Sequence, residues 1–268
     1  MPLFGSTGRD LSRGATADRV ILGAPAGPSD IAERSPRRTR RIFHAPPGPG
    51  HDGAMTYVRP PLPQRDLLDD DGTVIPYGDR WGMDGPPEHA YSVTRHPERF
   101  APLHLVADAL VVDLARTYDV ERADLDPAAT ARRFRPVGVR YERGVVLTPR
   151  SPDAPPLAVA WTDFPGVAVR AGVALDDGVP VCGCDACDEG LEELATRLEE
   201  HVMAVVEGRF REQVGAGLVS HGLTDRSGGG ESSTAYPDVP ADGWEEQARI
   251  LAGLPGGQWQ PWPLRPPA

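Results

Sequence analysis

One segment late in the chain, residues 191–210, constrains the fold more than any other part of the sequence. Its apolar residues recur every three or four positions, which is the spacing of one face of an α-helix. The pairs Glu193–Arg197 and Glu207–Arg211 place an acid four residues before a base, and each such pair stabilises a helix by a few tenths of a kcal/mol. Because a helix with one apolar stripe must bury it, the segment predicts a partner layer. The stripe consists of Leu191, Leu194, Ala195, Leu198, Val202, Val205, Val206 and Phe210.

Short apolar runs earlier in the chain supply that partner layer. They are separated by turn-length segments, which suit an antiparallel meander, whereas parallel strands would need longer crossovers. Another helix is predicted from Pro97 or Pro102 to about Tyr118, and residues 119–126 are expected to form the loop after it. The predicted strands are residues 137–141, 145–148, 157–162, 167–174 and 179–182, with turns at 142–144 and 176–178. The sequence therefore predicts an α+β fold, in which two amphipathic helices pack on an antiparallel sheet of four to five strands.

Proline-rich segments flank this predicted core on both sides. The first is expected to form an extended strap up to about His96, and the last carries Trp259 and Trp262, which are expected to pack back on the domain. The sequence after residue 215 is polar, contains a glycine run at 228–230, and resembles a helix start at 242–245. We expect residues 55–268 to form a single α+β domain with extended straps at both ends.

The first 54 residues differ in composition from the rest of the chain. Their net charge is +3, whereas the whole chain carries −11, and many prolines interrupt them. Such a segment cannot bury enough apolar surface to offset its ordering entropy, so we expect residues 1–54 to be disordered. Met55 opens a compositionally ordinary sequence and is a candidate native start, which would place residues 1–54 upstream of it. The basic run at residues 34–41 is also a candidate arm for nucleic acid or an anionic surface.

The rest of the chain is acidic, which argues against nucleic-acid binding by the folded domain. No apolar run is long enough to cross a membrane, and the N-terminus lacks the pattern of an export signal. The chain has three cysteines, an odd number that does not suit a disulfide framework. We therefore expect a soluble cytoplasmic protein. The sequence identifies no partner and no substrate.

All three cysteines, Cys182, Cys184 and Cys187, lie within six residues. In an extended Cys-Gly-Cys segment the first two side chains point to the same side. Cys187 then returns at the predicted start of the second helix, so the three thiols are expected to converge. Converging thiols can hold a metal ion such as Zn²⁺, or they can pack as small buried side chains. The sequence leaves both alternatives open.

A closed zinc site needs a fourth donor, and the second helix cannot supply it. His201 lies about fourteen residues along that helix, roughly 20 Å from Cys187, and we expect it to be a packed neutral histidine. Asp185, Asp188 or a histidine from a distant segment are the candidates that remain. The candidate histidines are His96, His104 and His221.

The spacing of Cys184 and Cys187 also suits a thiol–disulfide pair. Asp185, Asp188 and Glu189 place negative charge beside these thiols, and negative charge raises thiol pKa values. A thiol oxidoreductase is therefore disfavoured. We expect the acidic residues to interact instead with the dipole at the N-terminus of the second helix.

An enzymatic alternative rests on His96 and Glu98. A His-x-Glu segment together with Pro-Cys-x-x-Cys is the pattern of zinc deaminases. Here Pro180 precedes Cys184 by four residues rather than one, and about four predicted strands separate the two halves. The leading hypothesis is therefore a non-catalytic protein whose cysteine cluster is structural or binds a metal. The alternative is a zinc-dependent hydrolase or deaminase that uses His96, Glu98 and the thiols.

Four motifs together resemble one known family. They are residues 96–104 (HPERFAPLH), 162–166 (TDFPG) and 182–189 (CGCDACDE), and the late Trp259-x-x-Trp262-Pro. On these motifs the chain resembles the uncharacterised bacterial domain-of-unknown-function family 6226 over about residues 55–265. The cysteine motif with its acidic flanks is the most specific part. The family has no established activity, so the resemblance implies the extent of a domain and no mechanism.

Overall fold

A computed structural model describes residues 57–63, 65–83, 85–134, 139–215, 218–235 and 241–267. The chain divides into two units, Met1–Gly50 and His51–Ala268, and every described residue belongs to the second. The predictions about residues 1–54, including their expected disorder and a start at Met55, lie outside the described residues. None of the described helices is long and apolar enough to span a membrane.

A five-stranded antiparallel sheet forms the centre of the described chain. Its strands are β1 (Val120–Leu125), β2 (Tyr141–Pro149), β3 (Leu157–Thr162), β4 (Val167–Ala171) and β5 (Leu175–Val179). They pair in chain order as a meander, with Val145 opposite Val159 and Val159 opposite Val169. This sheet confirms the predicted α+β class.

Both faces of the sheet are covered, and β3 is therefore buried at every position. Successive residues of a strand point to opposite faces. Accordingly, Val145 and Val159 belong to the main hydrophobic core, whereas Val146 and Ala158 belong to a smaller core on the other face. The continuous apolar run of β3 is the pattern of a strand buried on both sides, and its predicted bounds match the observed ones.

Both predicted helices are present. Helix α1 (Leu103–Thr117) and helix α3 (Leu191–Val206) contribute to the main core, and a short helix α2 (Pro127–Arg133) lies between β1 and β2 in the chain. The apolar stripe of α3 is buried as predicted. The helix ends before the expected Phe210, because Gly208 adopts a positive φ of 74° just after it, a conformation typical of a helix C-terminus.

A second, three-stranded antiparallel sheet follows α3, and nothing in the polar sequence after residue 215 predicts it. Its strands are β6 (Phe210–Gly215), β7 (Leu218–Thr224) and β8 (Gly230–Ala235), paired in that order. In the turn between β7 and β8, Asp225 Oδ1 accepts hydrogen bonds from the backbone N–H groups of Ser227 and Gly229, at 2.8 and 2.9 Å. The glycine run therefore belongs to a hairpin turn. Helix α4 (Ala241–Ala252) follows, where a short helix is predicted.

Three local predictions were wrong. Residues 119–126, expected as a loop, contain β1, an edge strand with four exposed residues and hence no apolar period. Residues 142–144, expected as a turn, lie inside β2. A Cβ on Gly144 would lie 2.8 Å from Thr130 Oγ1, so this glycine allows α2 to approach the strand. Residues 176–178, expected as a turn before a strand at 179–182, instead lie in β5, which ends at Val179, so the predicted strand is shifted toward the N-terminus.

The C-terminal strap packs back on the domain, as predicted. Trp262 is fully buried, and its indole N–H donates to the carbonyl oxygen of Pro155 at 2.8 Å. Its ring meets that of Tyr118 edge-on, with the centroids 5.7 Å apart. Trp259 donates to the buried carboxylate of Glu212 at 2.5 Å. The two tryptophans thus complete the main core from outside the sheet.

Tyr57 and Arg59 hold the start of the N-terminal strap on α3 through the carboxylates of Glu199 and Glu192. The Tyr57 hydroxyl donates to Glu199 Oε1 at 2.6 Å, and Arg59 Nε donates to the same oxygen at 2.8 Å. The strap then continues toward the loop that carries the cysteines, where its later residues make further contacts.

Candidate metal centre

The three cysteines lie together in the loop between β5 and α3, here named the cysteine loop (residues 182–187). Their sulfur atoms all lie within 4.8 Å of one another. The Sγ atoms of Cys184 and Cys187 are 3.4 Å apart, much farther than the roughly 2.05 Å of a disulfide bond, so these are free thiols. Cys184 is buried, whereas Cys182 and Cys187 are exposed.

A tight backbone turn brings the thiols together. The N–H of Cys187 donates to the carbonyl oxygen of Cys184 at 3.2 Å. Gly183 adopts a φ of 74°, and a Cβ at this position would lie 2.6 Å from the ring of Phe164. The chain is therefore not extended from Cys182 to Cys184, as the sequence suggests. The thiols converge through the turn rather than through the alternation of a strand.

The environment separates the pKa values of two thiols. Burial raises the pKa of a thiol, but the thiolate form of Cys184 is stabilised by hydrogen bonds from the backbone N–H groups of Cys187 and Ser92 and from the other two thiols. These bonds outweigh burial and lower the pKa of Cys184 to about 7. Burial, together with the hydrogen bonds that its thiol makes to Cys184 and Cys182, raises the pKa of Cys187 to about 12. Cys184 is therefore the thiol most readily converted to a thiolate in this pair.

The N-terminal strap covers the cysteine loop by backbone pairing. The N–H of Asp185 donates to the carbonyl oxygen of Val93 at 2.7 Å, and the N–H of Ala186 donates to that of Ala90 at 3.0 Å. The indole N–H of Trp81 donates to the carbonyl oxygen of Asp185 at 3.0 Å. The N-terminal strap, which is far from the cysteine loop in the sequence, therefore fixes the conformation of the loop.

The Asp185 carboxylate is buried among three arginines. One of its oxygens accepts the backbone N–H of Arg95 at 3.0 Å, and its oxygens lie 3.7, 3.8 and 3.9 Å from the side chains of Arg80, Arg95 and Arg99. Arg99 also donates to the carbonyl oxygen of Gly183 at 3.0 Å. A buried carboxylate requires such partners. Asp185 therefore ties the cysteine loop to the strap and to the segment before α1.

The prediction that Asp185 and Asp188 interact with the dipole of α3 was wrong. They precede α3, whose first turn contains Glu192 and Glu193 instead. Asp188 accepts the backbone N–H of Arg80 at 2.7 Å. The argument that their charges raise thiol pKa values also fails at Cys184, because the hydrogen bonds made to its thiolate outweigh burial and lower its pKa.

Arg80, Arg95 and Arg99 are the site residues that sequence reasoning missed. Arg95 lies 90 positions from the carboxylate that it contacts, and no periodic pattern links such distant residues. One available signal was the acidic cluster itself, because aspartates beside buried thiols need cationic partners.

His96 and Glu98 contact each other rather than the thiols. His96 Nδ1 lies 2.9 Å from Glu98 Oε1, and its Nε2 lies 2.9 Å from the carbonyl oxygen of Leu68. The hydrogen bond to Glu98 raises the pKa of His96. Within the described part of the chain, the possible ligands that lie within 4.8 Å of one another are the three cysteines, with no histidine among them. The arrangement of a zinc deaminase is not formed by these residues.

The other histidines named from the sequence also lie elsewhere. His104 Nε2 lies 3.0 Å from the carbonyl oxygen of Gly166, and His221 belongs to β7 of the second sheet. His201 is buried in α3, with its Nδ1 3.5 Å from a carboxylate oxygen of Asp177, which agrees with its expected packed position.

A cleft of about 830 Å³ reaches the edge of the cysteine loop. It is lined by apolar side chains of the strap, α1 and α3, among them Ile75, Leu105 and Leu191. Arg99 and Glu189 also line the cleft, and both contact the backbone of Gly183. A molecule in this cleft would therefore lie one side chain away from the cysteine loop.

The fold and the site together define an α+β domain that carries a cluster of three free thiols. A family model described as "Family of unknown function (DUF6226)" matches residues 63–266, which confirms the resemblance found in the motifs. The chain belongs to this family. No curated protein and no solved structure matches the chain. The matched residues include the whole cysteine loop and the three arginines around Asp185.

Proposed function

We propose that the protein binds one thiophilic divalent metal ion, Zn²⁺, through Cys182, Cys184 and Cys187, and that the bound ion is structural rather than catalytic. The observation that carries the proposal is the separation of the three sulfur atoms, all within 4.8 Å of one another. Thiolate ligands select ions such as Zn²⁺, and the exposed edge of the cluster gives an ion a path of entry.

The spacing of the sulfur atoms suits a tetrahedral ion. Zinc–sulfur bonds are about 2.3 Å long, which places two sulfurs of a tetrahedral site about 3.8 Å apart. The distance of 3.4 Å between the sulfurs of Cys184 and Cys187 and the upper limit of 4.8 Å for the group lie on either side of that value. Small side-chain rotations therefore suffice to bind an ion.

The hydrogen bonds around Cys184 also favour metal binding. The backbone N–H groups that lower the pKa of Cys184 to about 7 would remain as hydrogen-bond donors to a metal-bound thiolate, a role that supports ligand orientation. The raised pKa of Cys187 means that binding must displace its proton. Metal affinity is therefore expected to rise with pH.

A role in packing alone accounts less well for the cluster. Cys184 packs with Ala90 and Ala186 in a small hydrophobic cluster, but Cys182 and Cys187 are exposed. Exposed free thiols gain no burial energy and are open to oxidation. Free thiols suit a reducing compartment, and we therefore propose a location in the cytoplasm.

Elemental analysis of the full chain, purified under reducing conditions without added metal, tests the proposal. We expect about one equivalent of zinc per chain, lost in Cys184→Ser and retained in His96→Ala. At a free zinc concentration 100-fold above Kd the ion stabilises by about 2.7 kcal/mol. For a domain of this size, a chelator should then lower Tm by about 5 to 10 °C.

Three results would contradict the proposal. The first is a protein that is purified without metal and whose Tm does not change in chelator. Zinc loss in His96→Ala as well as Cys184→Ser would favour the hydrolase alternative. A chain that stays metal-free and forms a Cys184–Cys187 disulfide in a glutathione buffer would indicate thiol–disulfide chemistry.

A further inference from the structure

Three thiolates leave one position of a tetrahedral zinc site open, and we propose that His89 fills it. The inference rests on the proposed zinc site and deepens it, because it converts three cysteines into a closed site with three cysteines and one histidine. This is one of the ligand sets of structural zinc sites, which are almost always four-coordinate.

The backbone of the cysteine loop contacts the residues that directly follow His89 in the chain. The carbonyl oxygen of Ala90 accepts the N–H of Ala186 at 3.0 Å, and the carbonyl oxygen of Val93 accepts the N–H of Asp185 at 2.7 Å. Ala90, Cys184 and Ala186 pack together. The segment from Ala90 to Val93 thus lies against the cysteine loop, with Ala90 beside Cys184. His89 is the next residue in the chain, its Cα about 3.8 Å from that of Ala90.

The surroundings of His89 leave its imidazole ring available as a metal ligand. It lies in a short 3₁₀-helix, Glu88–Ala90, and its side chain is exposed. No hydrogen bond or ion pair holds the ring among the described residues. Its nitrogens lie outside the group of atoms within 4.8 Å, so ligation requires the side chain to rotate toward the thiols. An exposed side chain can rotate, and within the described ranges no hydrogen bond or ion pair opposes this rotation.

The other histidines within the described ranges have other partners or lie in other elements. Both ring nitrogens of His96 are within 2.9 Å of other partners. His104 contacts Gly166, His201 is buried in α3 beside Asp177, and His221 belongs to the second sheet. Of these histidines, His89 is the one whose neighbour in the chain, Ala90, packs in one hydrophobic cluster with Cys184.

Cobalt substitution of the full chain tests the assignment. Co²⁺ is added to the metal-free wild type and to His89→Ala, His89→Cys and His96→Ala, and the visible and near-ultraviolet absorption is recorded, followed by competition with Zn²⁺. We expect Zn²⁺ affinity to fall at least about tenfold in His89→Ala, with altered d–d bands. His96→Ala serves as the matched control and should leave both unchanged.

His89→Cys provides a gain-of-signal test that does not depend on a loss of folding. A fourth thiolate should restore tight binding and raise the sulfur-to-cobalt charge-transfer absorption by about one third over the three-thiolate wild type, since this absorption grows with each coordinated thiolate. X-ray absorption of the zinc-bound wild type should also show the outer-shell scattering of one imidazole.

The outcomes distinguish this inference from the proposed function. Wild-type protein that binds zinc while His89→Ala binds it equally, with the same cobalt spectrum, would overturn the role of His89 and leave the three-thiol site standing. Wild-type protein that takes up neither Co²⁺ nor Zn²⁺ would overturn both.

Discussion

Replacing Asp185 by asparagine is expected to destabilise the domain by about 3 kcal/mol. The substitution keeps the size of the side chain and leaves an oxygen to accept the N–H of Arg95. It removes the charge that balances Arg80 and Arg99, whose side chains are 14% and 5% exposed. Arginine stays protonated in proteins, so the variant must bury the Arg99 cation without its counterion, while Arg80 keeps only the carboxylate of Asp188, 4.0 Å away.

The magnitude follows from the burial of the partners. Removing one partner of a buried ion pair costs about 3–5 kcal/mol. The lower end applies here, because the distances from the carboxylate to the three guanidinium groups are 3.7–3.9 Å. In addition, the Arg95 side chain is 45% exposed and therefore solvated. A loss of 3 kcal/mol corresponds to a fall in Tm of about 6–12 °C for a domain of this size.

Urea unfolding followed by circular dichroism measures the effect. The matched control is Asp124→Asn, which removes the same group from the surface pair Arg122–Asp124, where the side chains are 41% and 71% exposed. We expect the control to change stability by less than about 0.5 kcal/mol. Equal stability of the two variants would refute the reasoning, because it would mean that the arginines are solvated well enough to need no carboxylate.

Two further predictions concern the C-terminal strap and β6. Trp262→Ala should cost about 3–5 kcal/mol and Trp262→Phe about 1–3 kcal/mol, because Pro155 loses its hydrogen-bond donor; wild-type stability of the Phe variant in urea would contradict this. Burial raises the pKa of Glu212 above its ordinary 4.5, against the opposing hydrogen bonds from Val173 and Trp259. The native state therefore keeps this proton to higher pH than the unfolded state, and the associated stability is complete below about pH 4.5 and is lost as pH rises through the native pKa. Glu212→Gln should remove this dependence, and parallel pH profiles of the two proteins would contradict the prediction.

The sequence predicts those elements that are buried on both faces or along one wide face. The run of β3 is apolar because both of its faces are covered, and α3 shows a wide stripe because one face lies on the core. Edge strand β1 gives no such signal, since four of its six residues are exposed. In β2, Gly144 resembles a turn residue in the sequence, but the structure shows that it makes room for Thr130.

The candidate site is predictable only within its own short segment. The spacing of the cysteines predicts that the thiols converge, and the structure brings them within 4.8 Å. Their partners come from the strap, which joins the cysteine loop across about 90 positions. Contacts of that range depend on the packing of the whole domain, so the arginines around Asp185 and the backbone of Ala90 leave no local pattern in the sequence.

A ribosome makes Tyr118, Pro155 and Val206 long before it makes Trp262, which contacts all three. At about 5–20 residues per second, the site of the indole ring stays open for roughly 7 to 30 seconds after Tyr118 is made. During that time the nascent chain presents apolar surface to chaperones, to proteases and to other nascent chains. Helices α1 to α3 and the first sheet can form before Trp262 is made, but the core cannot close until Trp262 has left the ribosome.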